Sequence, residues 1–349
     1  MSKFEFVIAF LFLALNVQCA QHQQGDLIVA KDGTGEFDTI QEALNSAPNN
    51  SVVPIRIYIK SGEYFEKLIV PAEKTQIHFI GADKTSTIIN YDDYSGKLLP
   101  NGLNLTTGTS YTVLVRGNDF YAEDLTFLNS AGTIAQAVAL HVVADRVVVN
   151  NCNIIANQDT LYPTIESDRP SRQYYKDCFI EGTTDFIFGA ATALFENCVI
   201  QCLKNSYITA ASTPEGNGFG FVFKNCSLLG NEDATSVYLG RPWRPWARTV
   251  FMHTTMDSHI HPAGWHNWNN PDNEDTAFYA EYMTHGVDVT ERVAWSKQLT
   301  DTEAELYTME NIFAGEDGSW LPNSSANVFR LDYLNVMLIV AVLAVSLLF

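Results

Sequence analysis

Six segments of this chain resemble one another, and that repeat constrains the fold more than any other feature. The stretches VVVNNCNIIANQDTLY, QYYKDCFIEGTTDFIFG, ALFENCVIQCLKNSYIT and FVFKNCSLLGNEDATSVYLG align on Cys152, Cys178, Cys198 and Cys226, each preceded by Asn or Asp. An earlier copy, FYAEDLTFLNSAG, carries Leu125 at the cysteine position, and a looser later one begins TVFMHTTMDSHI. Each copy holds a short β-branched and aromatic strand, a polar turn residue and a second short strand. The period of 20 to 28 residues is too short for a strand-helix-strand unit, which takes about 30 residues. No copy has helical periodicity. The expectation is an all-β stack of coils, with equivalent residues of successive coils ~4.8 Å apart, the separation of paired strands. The one convincing amphipathic helix is Thr39 to Ala47, with Ile40, Ala43, Leu44 and Ala47 at helical spacing and Pro48 beyond. It is expected to cap the N-terminal coil, whose sheet edge would otherwise stay unpaired.

Counting seven residues on from each aligned cysteine reaches Asp159, Asp185, Asn205 and Asp233. Two carboxylates are thereby expected on adjacent coils, where mutual repulsion raises one pKa and leaves one protonated and one ionised group. That is what an acid/base pair, or a nucleophile with an acid partner, requires. The rival reading is a turn position that favours Asx side chains, since Asn205 and Asp233 share it. The neighbours favour chemistry: Gln158 precedes Asp159, Gln136 lies on the preceding coil, and Arg241 follows the fourth copy. Amide donors beside a carboxylate pair can hold a developing oxyanion, and an arginine can keep one carboxylate ionised.

These residues carry a resemblance to the pectin methylesterases (pectinesterases). The most specific pieces are GEYFE at Gly62 to Glu66, QAVAL at Gln136 to Leu140, QDTLY at Gln158 to Tyr162, DFIFG at Asp185 to Gly189 and LGRPW at Leu239 to Trp243, with the match running from DGTGEF at Asp32 to at least Trp295. The resemblance implies a right-handed parallel β-helix with an open cleft along one sheet, and hydrolysis of the methyl esters of pectin with no cofactor and no metal. It implies Asp185 as the nucleophile that forms an acyl-enzyme, Asp159 as general acid and then base, Gln136 and Gln158 as oxyanion donors, and Arg241 as the group that orients Asp185. Tyr162, Phe188 and Trp243 would line sugar subsites with their aromatic faces; the alternative is that they are core. Cys178 and Cys198 bracket Asp185, and equivalent cysteines are paired in some bacterial members, so a bridge between them is a candidate for which Cys202 competes. The interval from Asp159 to Asp185 is longer than this family usually has, through extra residues within Pro163 to Pro170, which are expected to bulge as a loop without moving the aspartates.

The two ends read differently from the middle. Residues 1–20 run from Lys3 through an apolar core at Phe6 to Leu15 to the stretch Val17, Gln18, Cys19, Ala20, the pattern of a cleaved secretory signal, so the domain is expected over residues 21–322. Leu334 to Phe349 is an uncharged apolar run behind Asn323, Ser324, Ser325 and Ala326, which fits a glycolipid (GPI) anchor signal; a C-terminal membrane helix is the rival. A secreted or surface-anchored monomer is expected, and sequons at Asn49, Asn104, Asn225 and Asn323 suit that route. A net charge of -19 argues against a nucleic-acid partner and, for a pectin substrate, favours a well-esterified form that carries less charge. Other classes fit worse. His253, His259, His261 and His266 have no metal-ligand spacing, no G-x-S-x-G elbow exists for a serine hydrolase, and Gly216 to Gly220 precedes no helix. A calcium-dependent polyuronate lyase and a non-catalytic carbohydrate-binding relative remain as alternatives on the same fold.

Overall fold

A computed structural model describes residues 26–322 apart from Asp168 and Asp317. The secretory-signal and anchor readings fall outside these residues. The chain winds into a right-handed parallel β-helix whose strands form three sheets, of eleven, seven and eight strands. Every named strand pair is parallel, and non-consecutive strands are neighbours because each turn of the coil visits all three sheets.

The cysteine alignment is the true register. Asn153 pairs with Phe179, Phe179 with Val199, and Val199 with Ser227, each one residue past its cysteine. The Asn or Asp before each cysteine also has its reason. Asp124, Asn151, Asp177, Asn197 and Asn225 all sit at φ between 48° and 57°, the left-handed region that Asn and Asp tolerate best among residues with a Cβ. There the chain turns sharply from the eleven-stranded into the eight-stranded sheet.

Inside the coil, like stacks on like. Tyr175, Phe195, Phe223 and Phe251 occupy one register position on four successive coils. Their rings stack at 4.8, 4.4 and 4.4 Å, within 13° of parallel, and none of the four is exposed. Phe195→Ala opens a void flanked by two rings that the backbone ladder prevents from closing. It is expected to cost about 3 to 5 kcal/mol, read as a fall in Tm of roughly 10 °C; a fall under 2 °C would show that the coils relax into the space.

The cysteines form a parallel stack of their own, and this corrects one expectation. Cys178 and Cys198 are not bridged; all five cysteines among the described residues are free and buried. Each thiol donates to a carbonyl of its own coil and one of the coil before, Cys178 to Lys176 and Val149 and Cys198 to Glu196 and Tyr175. Side chains at equivalent positions of paired strands run side by side at the ~4.8 Å strand spacing, whereas a disulfide needs its Cβ atoms to converge to about 3.8 Å.

The helix Ile40–Ser46 closes the N-terminal end, with Thr39 as N-cap and Ile40, Ala43 and Leu44 buried. Glu66, the last residue of GEYFE, accepts the Ile40 and Gln41 amides, and the Gln41 side chain pairs with both backbone groups of Ile69 in the first strand of the seven-stranded sheet. The open edge is thus occupied. Sequence periodicity does not signal the other cover. Short helices at Asp301–Ala304 and Met309–Ile312 pack with Trp320 on the outer face of the eleven-stranded sheet, around Tyr174, Leu194, Val222 and Val250. Arg172 fastens them through the carbonyls of Phe313 and Gly318.

Candidate active site

The seven-stranded sheet carries the site on its outer face. Leu161 pairs with Ile187, so Asp159 and Asp185, each two residues earlier, hold the same position on adjacent coils. Both have positive φ, 67° and 48°, and both are largely buried, at 8% and 6% exposed. The backbone ladder sets them there: the Asp159 amide donates to Thr184 and the Asp185 amide to Tyr207.

Asn205 and Asp233 do not share this position. Ile187 pairs with Thr209 and Tyr207 with Tyr238, so Tyr207 and Tyr238 are the residues in line with Asp185. Equal counting from the cysteines fails here because the turns after Cys202 and Gly230 carry extra residues; Asn205 instead accepts the Thr235 and Ser236 amides in those turns. The Asx-turn reading of the aspartate position loses its basis.

Two glycines of the motifs are required by close approach. A Cβ on Gly189 would lie 2.2 Å from the Pro163 carbonyl oxygen, at φ 137°, and one on Gly240 would lie 2.0 Å from Thr209 Oγ1. Gly189 ends DFIFG and Gly240 precedes Arg241, so both glycines let neighbouring coils close up beside the functional side chains.

Arg241 grips Asp185 with both arms of its fork, Nε to Oδ1 at 2.9 Å and Nη2 to Oδ2 at 2.6 Å. Asp159 has no such cation. Burial first, and then the charge of Asp185, push its pKa up to about 8, with Arg241 pulling the other way. Burial raises Asp185 as well, against the opposing hydrogen bonds and charge of Arg241. The pair is therefore unequal: burial and the neighbouring carboxylate favour the protonated form of Asp159, while Arg241 works for the ionised form of Asp185 alone through two hydrogen bonds.

Gln136, Gln158, Asp159, Tyr162, Asp185, Phe188, Arg241 and Trp243 all line one cavity of about 400 Å³. Every site residue expected from the sequence, the cysteine pair aside, is therefore in one place. Neither glutamine side-chain amide is engaged by another described residue. The aromatic expectation needs a correction in detail. Tyr162 stacks on His141 at 4.4 Å and on Phe188 at 4.1 Å and 8°, so both its faces are taken and the cavity receives ring edges. Trp243 stands tilted to both rings.

Sequence reasoning missed Thr106, Thr107, Gly108, Ala210 and Trp268, which complete the lining. Thr106 to Gly108 belong to a turn far from any repeat, pinned by His141, whose Nδ1 donates to the Gly108 carbonyl. Nothing in their residue types announces the role. Trp268 ends the aromatic stretch WHNW, in which sequence alone singles out only His266. Of the four histidines, His261 and His266 pack against Tyr238, His266 also against Tyr207, while His253 meets Tyr282 and His259 is buried.

The extra residues before Asp185 do form a loop. The offset between adjacent coils is 26 residues at Leu161 and Ile187 but 20 at Arg172 and Thr192, so six residues (26 less 20) are absorbed between Pro163 and Arg172, with the aspartates still in register. The loop folds back over the sheet, where Glu166 pairs with Arg116.

The pectinesterase family profile matches residues 26–316. The chain belongs to the pectinesterase family. The match makes it a carboxylic ester hydrolase. Pectinesterase 31 of Arabidopsis thaliana is 38% identical over 302 residues, covering 84% of this chain and 94% of that protein. Other curated relatives are longer, and the chain spans 53 to 54% of their length. Among solved structures, pectin methylesterase from carrot superposes with a TM-score of 0.77 at 36% identity, covering 86% of this chain and 96% of that one. A pectin methylesterase in complex with a hexasaccharide gives 0.74 at 31% identity, covering 86% and 99%.

Proposed function

We propose that this pectinesterase hydrolyses the methyl esters of galacturonate units in pectin by double displacement at Asp185. The observation that carries the reading is the asymmetry of the carboxylate pair: Asp185 is bound by Arg241 through two hydrogen bonds, while Asp159, one coil away, is held protonated by burial and by its neighbour's charge. The ionised Asp185 oxygen attacks the ester carbonyl carbon. The carbonyl oxygen takes up negative charge where the Gln136 and Gln158 amides can donate to it. As the tetrahedral species collapses, the carbon–methoxy bond breaks, Asp159 gives its proton to the departing oxygen, and methanol leaves an anhydride on Asp185. Asp159, now ionised, takes a proton from water, whose oxygen attacks the galacturonyl carbon. The bond from that carbon to the Asp185 oxygen breaks, Asp185 is restored as a carboxylate, Asp159 is again protonated, and the new carboxylic acid departs and gives its proton to solvent.

Methanol release from highly esterified pectin, with EDTA present and without an unsaturated product, is the test that separates this reading from a lyase and from a binding protein. Gln158→Ala is expected to lower kcat by about 10²- to 10³-fold with a smaller effect on KM. An unchanged kcat would remove Gln158 from the oxyanion role.

A further inference from the structure

Arg241 is itself held. Its guanidinium carbon lies 3.9 Å from the centroid of the Tyr207 ring and 3.7 Å from that of Trp268. A planar group has room at that range for one ring on each face, so the two rings bracket it. Tyr207 is supported in turn. Tyr238 stacks on it at 5.4 Å and 20°, His261 stacks on Tyr238 at 4.3 Å and 18°, and His266 packs against both tyrosines at 5.5 Å. The register explains the geometry. Tyr207 holds, on the next coil, the position of Asp185, and Tyr238 and His261 hold it on the two coils after that. Three residues further along, the sequence His141, Tyr162, Phe188 gives way to Ala210, whose small side chain leaves Arg241 a path back across one coil to Asp185.

We infer that Tyr207 and Trp268 are positioning residues for the nucleophile, holding the Arg241 fork in line with the Asp185 carboxylate, with Tyr238, His261 and His266 as the buttress behind Tyr207. This rests on the assignment of Asp185 as nucleophile. Cation–π contact restrains a guanidinium without competing for its N–H donors, which stay free for the carboxylate. The titratable and charged groups facing the sandwich are Asp159, Asp185, Tyr207, Tyr238, His261 and His266. Burial and the Arg241 charge disfavour ionisation of His266, which keeps a second cation from the arginine.

The test is the pH profile of methanol release from highly esterified pectin by the wild-type protein, Tyr207→Leu and Tyr207→Phe. The leucine variant is expected to lose about tenfold in kcat with little change in KM. Its acidic limb should move up by about one pH unit, because a loosened cation no longer holds the carboxylate ionised. The phenylalanine variant keeps the ring and should keep the wild-type profile. An unmoved acidic limb in a leucine variant of near-native Tm overturns the inference. So does a rise in KM alone, which would make Tyr207 a sugar contact, or a phenylalanine variant as impaired as leucine, which would point to the hydroxyl. If Tyr207→Leu does not fold, Trp268→Leu on the other face carries the same expected shift, and an unmoved limb there is equally fatal. Failure of the esterase reading is visible separately, as absence of methanol with the wild-type protein, and would take this inference with it.

Discussion

Asp185→Asn is expected to lower kcat for methanol release by on the order of 10⁴-fold or more, since it removes the nucleophile of a covalent mechanism. Asparagine is the informative replacement. It keeps the shape of the side chain and accepts the left-handed backbone that Asp185 adopts at φ 48° as readily as aspartate does, so the coil is not disturbed. What it loses is the charge that Arg241 meets with two hydrogen bonds and the oxygen that attacks the ester. Binding of pectin, measured calorimetrically, should persist within a few fold, because the cavity walls are unchanged. A variant that keeps more than a tenth of wild-type kcat would sink the assignment.

Asp159→Asn should reduce kcat by about 10²- to 10⁴-fold, the range for loss of a general acid and base, and should abolish the alkaline limb of the residual activity. In the wild type that limb is expected near pH 8, since burial and the Asp185 charge push the Asp159 pKa up to about 8. The same substitution should stabilise the fold, and the sign follows from linkage. A carboxyl whose pKa is raised on folding holds its proton more tightly in the native state than in the unfolded one. It therefore costs nothing below its ordinary value of 3.8 and costs progressively more as pH rises toward about 8. Asp159→Asn should then raise Tm by several degrees at pH 7 and hardly at all at pH 4. An equal gain at both values would mean that Asp159 is not held protonated by the fold.

Much of this was legible in the sequence because a solenoid writes its geometry as a period. The four aligned cysteines with Leu125 give the register of five coils, and from it the pairing of Asp159 with Asp185. Register failed one step later, at Asn205, because turn lengths vary and equal counting assumes they do not. The helix cap was readable from Ile40, Ala43 and Leu44. The C-terminal cover was not, since two helices of four residues each are too short to show a period. Thr106 to Gly108 reach the cavity through folding of distant chain and Ala210 by register with Phe188, and all have residue types with no chemical signature. The orientation of Tyr162 likewise depends on what stacks above and below it, which single residues do not disclose.

Asp185 and its arginine are 56 residues apart in the chain, with one coil lying between theirs. While the protein is being made, the aspartate pair emerges before the cation that sets one member ionised. Two carboxylates alone in that apolar setting would favour protonated or shared-proton states, which are poor nucleophiles. On the proposed mechanism, hydrolytic competence therefore waits for the strand bearing Tyr238 to Gly240 to dock and the arginine to reach back. A partly wound chain, whatever it binds, would on that mechanism be chemically silent.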